Sequence, residues 1–119
     1  MPSSSNSSSA SDRLTVIYNA YKNAFARRAA DLKQATTAEQ VQSIMDNVDS
    51  LEGSYLDAAR RSLDATGPDI EACYQSALSA TQAVDKAYAQ GKALAERITA
   101  VSGVVAAVGN LVTKAAGAA

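Results

Sequence analysis

The chain has 119 residues, enough for one domain with a modest core, and Ala dominates an apolar fraction of 47% that includes one Phe and no Trp. An Ala-rich chain with two Pro and six Gly, and apolar residues at helical spacing, predicts an all-α fold. A net charge of −1 offers no global field for nucleic acid, and the absence of His removes the commonest general base, the usual Ser and Cys triads and most zinc or copper sites.

Residues 1–11, Met-Pro-Ser-Ser-Ser-Asn-Ser-Ser-Ser-Ala-Ser, are low in complexity and have nothing to bury. They are expected to be disordered and to precede a single helical domain over 12–119. They contain neither a basic n-region nor an apolar h-region, so no cleaved secretory signal is expected. That leaves a cytoplasmic chain, or one exported through an uncleaved, Ser-rich leader.

The first helix is expected over about residues 12–35, capped by Ser11 or Asp12. Its stripe is Leu14, Tyr18, Tyr21, Phe25, Arg28, Leu32 and Ala35, widened by Ile17, Ala24 and Ala29. These large side chains are expected to fill the core against Ala and Val elsewhere.

Thr36-Thr37-Ala38-Glu39-Gln40 offers two capping boxes, Thr36 with Glu39 or Thr37 with Gln40. The connection is then very short, and helices 1 and 2 form an antiparallel hairpin. Helix 2 is expected over about 37–66, with the stripe Val41, Ile44, Val48, Leu51, Tyr55, Ala59 and Leu63 and with Met45 and Leu56 beside it. Five basic residues fall between Asp12 and Thr36, and six acidic ones between Thr37 and Gly67, a distribution that suits antiparallel neighbours.

Gly67-Pro68 punctuates the chain: Gly67 suits a left-handed position ending helix 2, and Pro68 the first turn of helix 3. From Ile70 to Val112 an apolar seam steps by 3 and 4 without a slip. It predicts one long helix over about 68–116, roughly 74 Å at the α-helical rise against roughly 36 and 45 Å for helices 1 and 2. The alternatives are an overhanging third helix in a three-helix bundle, or a break near Gly91 or near Ser102-Gly103 that gives four helices. The unbroken phase favours continuity. The exposed overhang would then be an interface built from Leu94, Ile98, Val101, Val105, Val108 and Val112.

Few side chains point to chemistry. Cys73 lies in the seam and reads as a small buried thiol. Asp46, Asp49 and Glu52 step by three and read as a solvated acidic face rather than a metal site. Arg28 interrupts the first stripe level with Met45 to Asp46, so it is expected to pair with Asp46 or Asp49 and fix the hairpin register. Arg27 with Asp31, Asp57 with Arg61, and Arg60 with Asp64 stand at helical pairing distance. No catalytic residue, cofactor, metal or small-molecule substrate is expected.

The Ser-rich start with a heptad helix resembles, in general layout, small helical substrates of bacterial export machines that assemble outside the cell. The resemblance implies a secreted, self-assembling coiled-coil protein. The function expected is non-enzymatic assembly, with the C-terminal helix packing on other copies or on another helical protein and with no nucleic acid. The alternative is a membrane-active protein that inserts its C-terminal segment: 16 residues between Arg97 and Lys114 carry no charge, just short of the usual span.

Overall fold

A computed structural model describes residues 8–117, which form four helices: α1 (Ala10–Gln34), α2 (Ala38–Arg60), α3 (Pro68–Ala89) and α4 (Leu94–Ala115). The fold is all-α, with a four-helix rather than a three-helix count. The disorder expected for residues 1–7 lies outside the described residues. Ser8 and Ser9, assigned to the same tail, are structured. Ser9, not Ser11 or Asp12, caps α1: its hydroxyl accepts the Asp12 N–H at 3.0 Å, and the Asp12 carboxylate accepts the Ser9 N–H at 3.0 Å. Two of the orphan donors at the helix start are thereby satisfied reciprocally.

The α1–α2 turn follows its sequence signal. The Thr37 hydroxyl accepts the Gln40 N–H at 3.1 Å. The Gln40 side chain reaches one residue further back than a standard box, to the Thr36 N–H at 2.8 Å. The C-terminal end of α2 does not follow its signal. The helix stops at Arg60, and residues 61–67 cross the end of the bundle in an extended path. Leu63 is buried there, and the Ala65 N–H donates to the Ala115 carbonyl at 3.2 Å. Anchoring the linker to α1 and α4 overrides the helical propensity of residues 61–66. Gly67, at φ 135°, is therefore the N-cap of α3 rather than the terminator of α2, and Pro68 occupies the first turn of α3 as expected.

The expected long helix is broken at Gly91. Gly91 sits at φ 64°, its N–H donates to the Tyr88 carbonyl at 3.1 Å, and the Lys92 N–H donates to the Ala87 carbonyl at 3.0 Å. These two bonds are a Schellman termination, which places glycine at the left-handed position. Ala93 is extended, and α4 restarts at Leu94. Gly103, the other candidate break, lies within continuous α4. The seam keeps its phase across a real loop because α3 and α4 turn back on each other and both face the same core.

That core holds Ile17 and Ala20 of α1, Leu51 and Ala58 of α2, Ala77 and Val84 of α3, and Val104, Val108 and Leu111 of α4. Fully burying a side chain such as Ile17, Leu51 or Leu111 contributes about 1.5–3 kcal/mol. α4 packs against all three other helices, whereas α2 and α3 do not pack on each other. The expected interface on α4 is thus largely internal: Leu94, Val101, Val108 and Val112 are buried, and Ile98 and Val105 are half-buried. The break at Gly91 supplies the reason, because folding α4 back covers its seam from within the same chain.

Candidate interaction surface and the buried polar clusters that frame it

The inner face of α1 carries two charged residues that hydrophobic patterning passes over, Arg13 and Asp31, both buried. They lie 18 residues apart, five helical turns, and so share one face at opposite ends of the helix. Each anchors a polar cluster.

At the first end, the Arg13 guanidinium is only 1% exposed. Nη1 donates to the Leu63 carbonyl at 2.6 Å and the Ala65 carbonyl at 2.9 Å. Nη2 donates to the Ser8 carbonyl at 2.8 Å and to Glu71 at 3.2 Å, and Nε donates to the Ser8 hydroxyl at 2.9 Å. Ser8 closes the ring, its N–H and hydroxyl donating to the Glu71 carboxylate at 2.8 to 3.1 Å. Burial pushes the Glu71 carboxyl up, but the Ser8 hydrogen bonds and the Arg13 charge outweigh it and leave the group below its ordinary range. A planar donor fork thus ties residue 8, the 61–67 linker and α3 to α1.

At the other end, the Asp31 carboxylate accepts from the Tyr88 hydroxyl and, at 3.2 Å, from Arg97 Nη1. Arg97 Nη2 donates to the Gln34 side chain. Arg27 and Arg97 lie over the Tyr88 ring at 4.2 and 5.0 Å. Burial, reinforced by the Asp31 hydrogen bond and charge, pushes the Tyr88 phenol well above its ordinary range. Arg97 Nε is buried without a partner, and a cavity of about 20 Å³ lined by Asp31, Asn47, Tyr88 and Ile98 has room for a single water. A second cavity of the same size, lined by Ala20, Leu51, Val84 and Val104, lies between the helices. Neither can hold a substrate. Among the described residues no three His, Cys, Asp or Glu side chains converge on a common point.

The expected register pair is not formed. The Arg28 guanidinium lies over the Phe25 ring at 4.7 Å, and among the described residues it makes no ion pair with Asp46 or Asp49. Asp46 accepts from Gln42 at 2.7 Å instead. Both aspartates are exposed on α2, and the Arg28 side chain is laid along α1 over Phe25 instead. Arg27 pairs with Asp85 at 3.1 Å rather than with Asp31, which Arg97 occupies. Asp57 with Arg61 is found as expected, at 3.0 Å. Cys73 is a half-buried free thiol against the core.

The outer face of the α1–α2 hairpin is the main departure from the expected core. Five large apolar side chains stay exposed: Tyr18 at 41%, Phe25 at 49%, Val41 at 41%, Met45 at 38% and Leu56 at 51%. All five lie on α1 or α2, and none on α3 or α4. Tyr18 and Tyr55 are 5.1 Å apart, Tyr21 stacks on Tyr55 at 5.9 Å, and Tyr21 meets Phe25 at 6.0 Å. These separations suit favourable aromatic packing and join Tyr18, Tyr21, Phe25 and Tyr55 into one cluster, with Val41, Met45 and Leu56 exposed along α2. The Tyr21 hydroxyl donates to Glu52 at 3.5 Å, and burial followed by the Glu52 charge raises its phenol above the ordinary value. Arg28, laid over Phe25, and Glu52, bonded to Tyr21, lie within this face, while Lys22 on α1 and Asp49 on α2 are exposed beside it.

No family model, no curated protein and no solved structure matches the chain.

Proposed function

We propose that the chain is a non-enzymatic helical interaction protein that acts by packing an apolar helical face against another helical surface. The observation that carries this reading is the joined aromatic cluster of Tyr18, Tyr21, Phe25 and Tyr55 on the α1–α2 hairpin, in which Tyr18 and Phe25 stay exposed, together with Val41, Met45 and Leu56 exposed on α2. Contiguous apolar patches rimmed by polar residues mark association sites, whereas single exposed apolar residues do not. The surface moves from α4, where the heptad seam suggested it, to α1–α2, because α4 is used as core. Self-assembly, coiled-coil packing and secretion from a bacterial cell belong to the same proposal. The last of these rests on the Ser-rich start of the sequence alone.

The triple substitution Phe25→Gln, Met45→Gln and Leu56→Gln tests it. A face kept for binding contributes little to the fold of the isolated chain, so the variant should melt at nearly the parent temperature in dilute solution. A loss of several kcal/mol, the scale of core truncation, would make this face part of the core and remove the reading.

A second reading has one supporting observation. Among the described residues, α4 is the one helix long and apolar enough to cross a membrane. A core helix passes the same criterion, and α4 packs against the three other helices. Vesicle flotation tests insertion: a chain that stays at the bottom of the gradient with both zwitterionic and anionic vesicles is not membrane-active.

A further inference from the structure

We propose that the outer α1–α2 face binds a second copy of this chain, the two copies related by a two-fold axis parallel to the helices. The proposal rests on the interaction reading above and names its partner.

The charges on and beside this face select the occupant. The exposed charges of α1 beside this face are basic, Lys22 and Lys33, and Arg28 lies within it over Phe25. Those of α2 are acidic, with Asp46 and Asp49 exposed beside the face and Glu52 within it, bonded to Tyr21. Within one copy these charges are largely uncompensated. Lys22 lies 5.7 Å from the Tyr18 ring centre, Arg28 covers Phe25, and Asp49 has no ion-pair partner among the described residues. A partner must therefore present an acidic border opposite α1 and a basic one opposite α2. The same face of a second copy, turned about an axis along the helices, does so: α1 of each copy lies over α2 of the other. A two-fold axis across the helices would instead set α1 on α1 and α2 on α2, with like charges facing, which is costly.

The levels along the helices agree. The Tyr18–Tyr55 and Tyr21–Glu52 contacts fix the antiparallel register within the hairpin. Lys22 then stands level with Leu51, between Asp49 and Glu52. A two-fold axis parallel to the helices leaves levels unchanged, so Lys22 of one copy falls beside Asp49 and Glu52 of the other. Isologous symmetry forms each pair twice. A hairpin about 34 Å long and about 18 Å wide presents roughly 600 Å² per copy, about 1,200 Å² in total, the lower end for a specific interface.

Sedimentation equilibrium of the full chain, with charge reversals, tests the proposal. The parent protein should be a dimer. Lys22→Glu should weaken it about five- to tenfold, since symmetry places the change in both pairs. Lys22→Glu combined with Asp49→Lys and Glu52→Lys should restore it. Phe25→Glu should weaken it about a hundredfold or more, as for a central aromatic anchor. A monomer at all concentrations overturns the proposal, and leaves the interaction reading standing if the Gln variant above melts normally. A dimer indifferent to Phe25→Glu and to the charge reversals places self-association elsewhere and also overturns it. Reversal without rescue by the combined variant overturns the proposed axis.

Discussion

Arg13 and Glu71 meet at 3.2 Å across 58 residues of sequence, with the arginine withdrawn from solvent and the glutamate partly open to it. The pair is asymmetric. Arg13 satisfies three backbone carbonyls as well, so its removal leaves those acceptors and the Glu71 carboxylate without their donor. Arg13→Met should cost about 3–5 kcal/mol in urea unfolding, the scale of breaking a buried pair by removing one partner. Glu71→Gln keeps an acceptor and should cost less. A loss under about 1 kcal/mol for Arg13→Met would contradict a structural role for the cluster.

Glu71 also gives the bundle an acid limit. Its carboxyl is held below the ordinary range in the folded chain. The stability it contributes is therefore present above the unfolded carboxyl pKa and is lost as pH falls through the lowered folded value. Urea midpoints measured from pH 6 to pH 2 should fall for the parent protein and fall less for Glu71→Gln. Equal slopes would rule out this linkage.

Tyr88 acts at the opposite extreme. Burial and Asp31 raise its phenol, so the stability tied to the neutral hydroxyl is complete below the ordinary phenol pKa and declines as pH rises toward the folded value. Ultraviolet titration should show one tyrosine ionising later than the rest, and Tyr88→Phe should remove it. The same substitution should cost about 1–2 kcal/mol, because Asp31 loses one of its two donors.

Glycine substitutions should separate by sign. Gly91→Ala forces a side chain into the left-handed Schellman position and should destabilise by about 1 kcal/mol. Gly53 and Gly103 lie within α2 and α4, and a Cβ at either would meet nothing within 4 Å. Gly53→Ala and Gly103→Ala should each stabilise by about 0.5–1 kcal/mol. Thermal melts of the three single variants check this. A stabilising Gly91→Ala would mean that α3 runs on into α4.

Helical content, the Thr36–Thr37 hairpin and the Pro68 start were legible because each depends on neighbours in sequence. The core of α1 was legible in part. Ile17 and Ala24 are buried as expected, but the aromatic stripe from Leu14 to Leu32 was placed in the core with them, and the inner line they share with Ala20 ends in Arg13 and Asp31, two charges that apolar spacing passes over. Contacts 50 and more residues away, to Leu63, Ala65, Glu71, Tyr88 and Arg97, together with Ser8, explain why those charges are buried. The outer face was missed for the same reason: spacing identifies an apolar stripe without saying whether anything covers it. The Gly91 break was hidden because a lone glycine, without proline or a polar cluster beside it, is also compatible with a helix interior.

α4 is translated after the other three helices, yet all three of them pack against it. While it is still inside the ribosome, the α1–α2 hairpin bares Ile17, Val48 and Leu51 on one side and Tyr18, Phe25 and Leu56 on the other. The nascent chain is greasy on both sides until α4 emerges. Its yield in a cell should therefore depend on how quickly α4 follows, or on a chaperone that holds the hairpin in the interval.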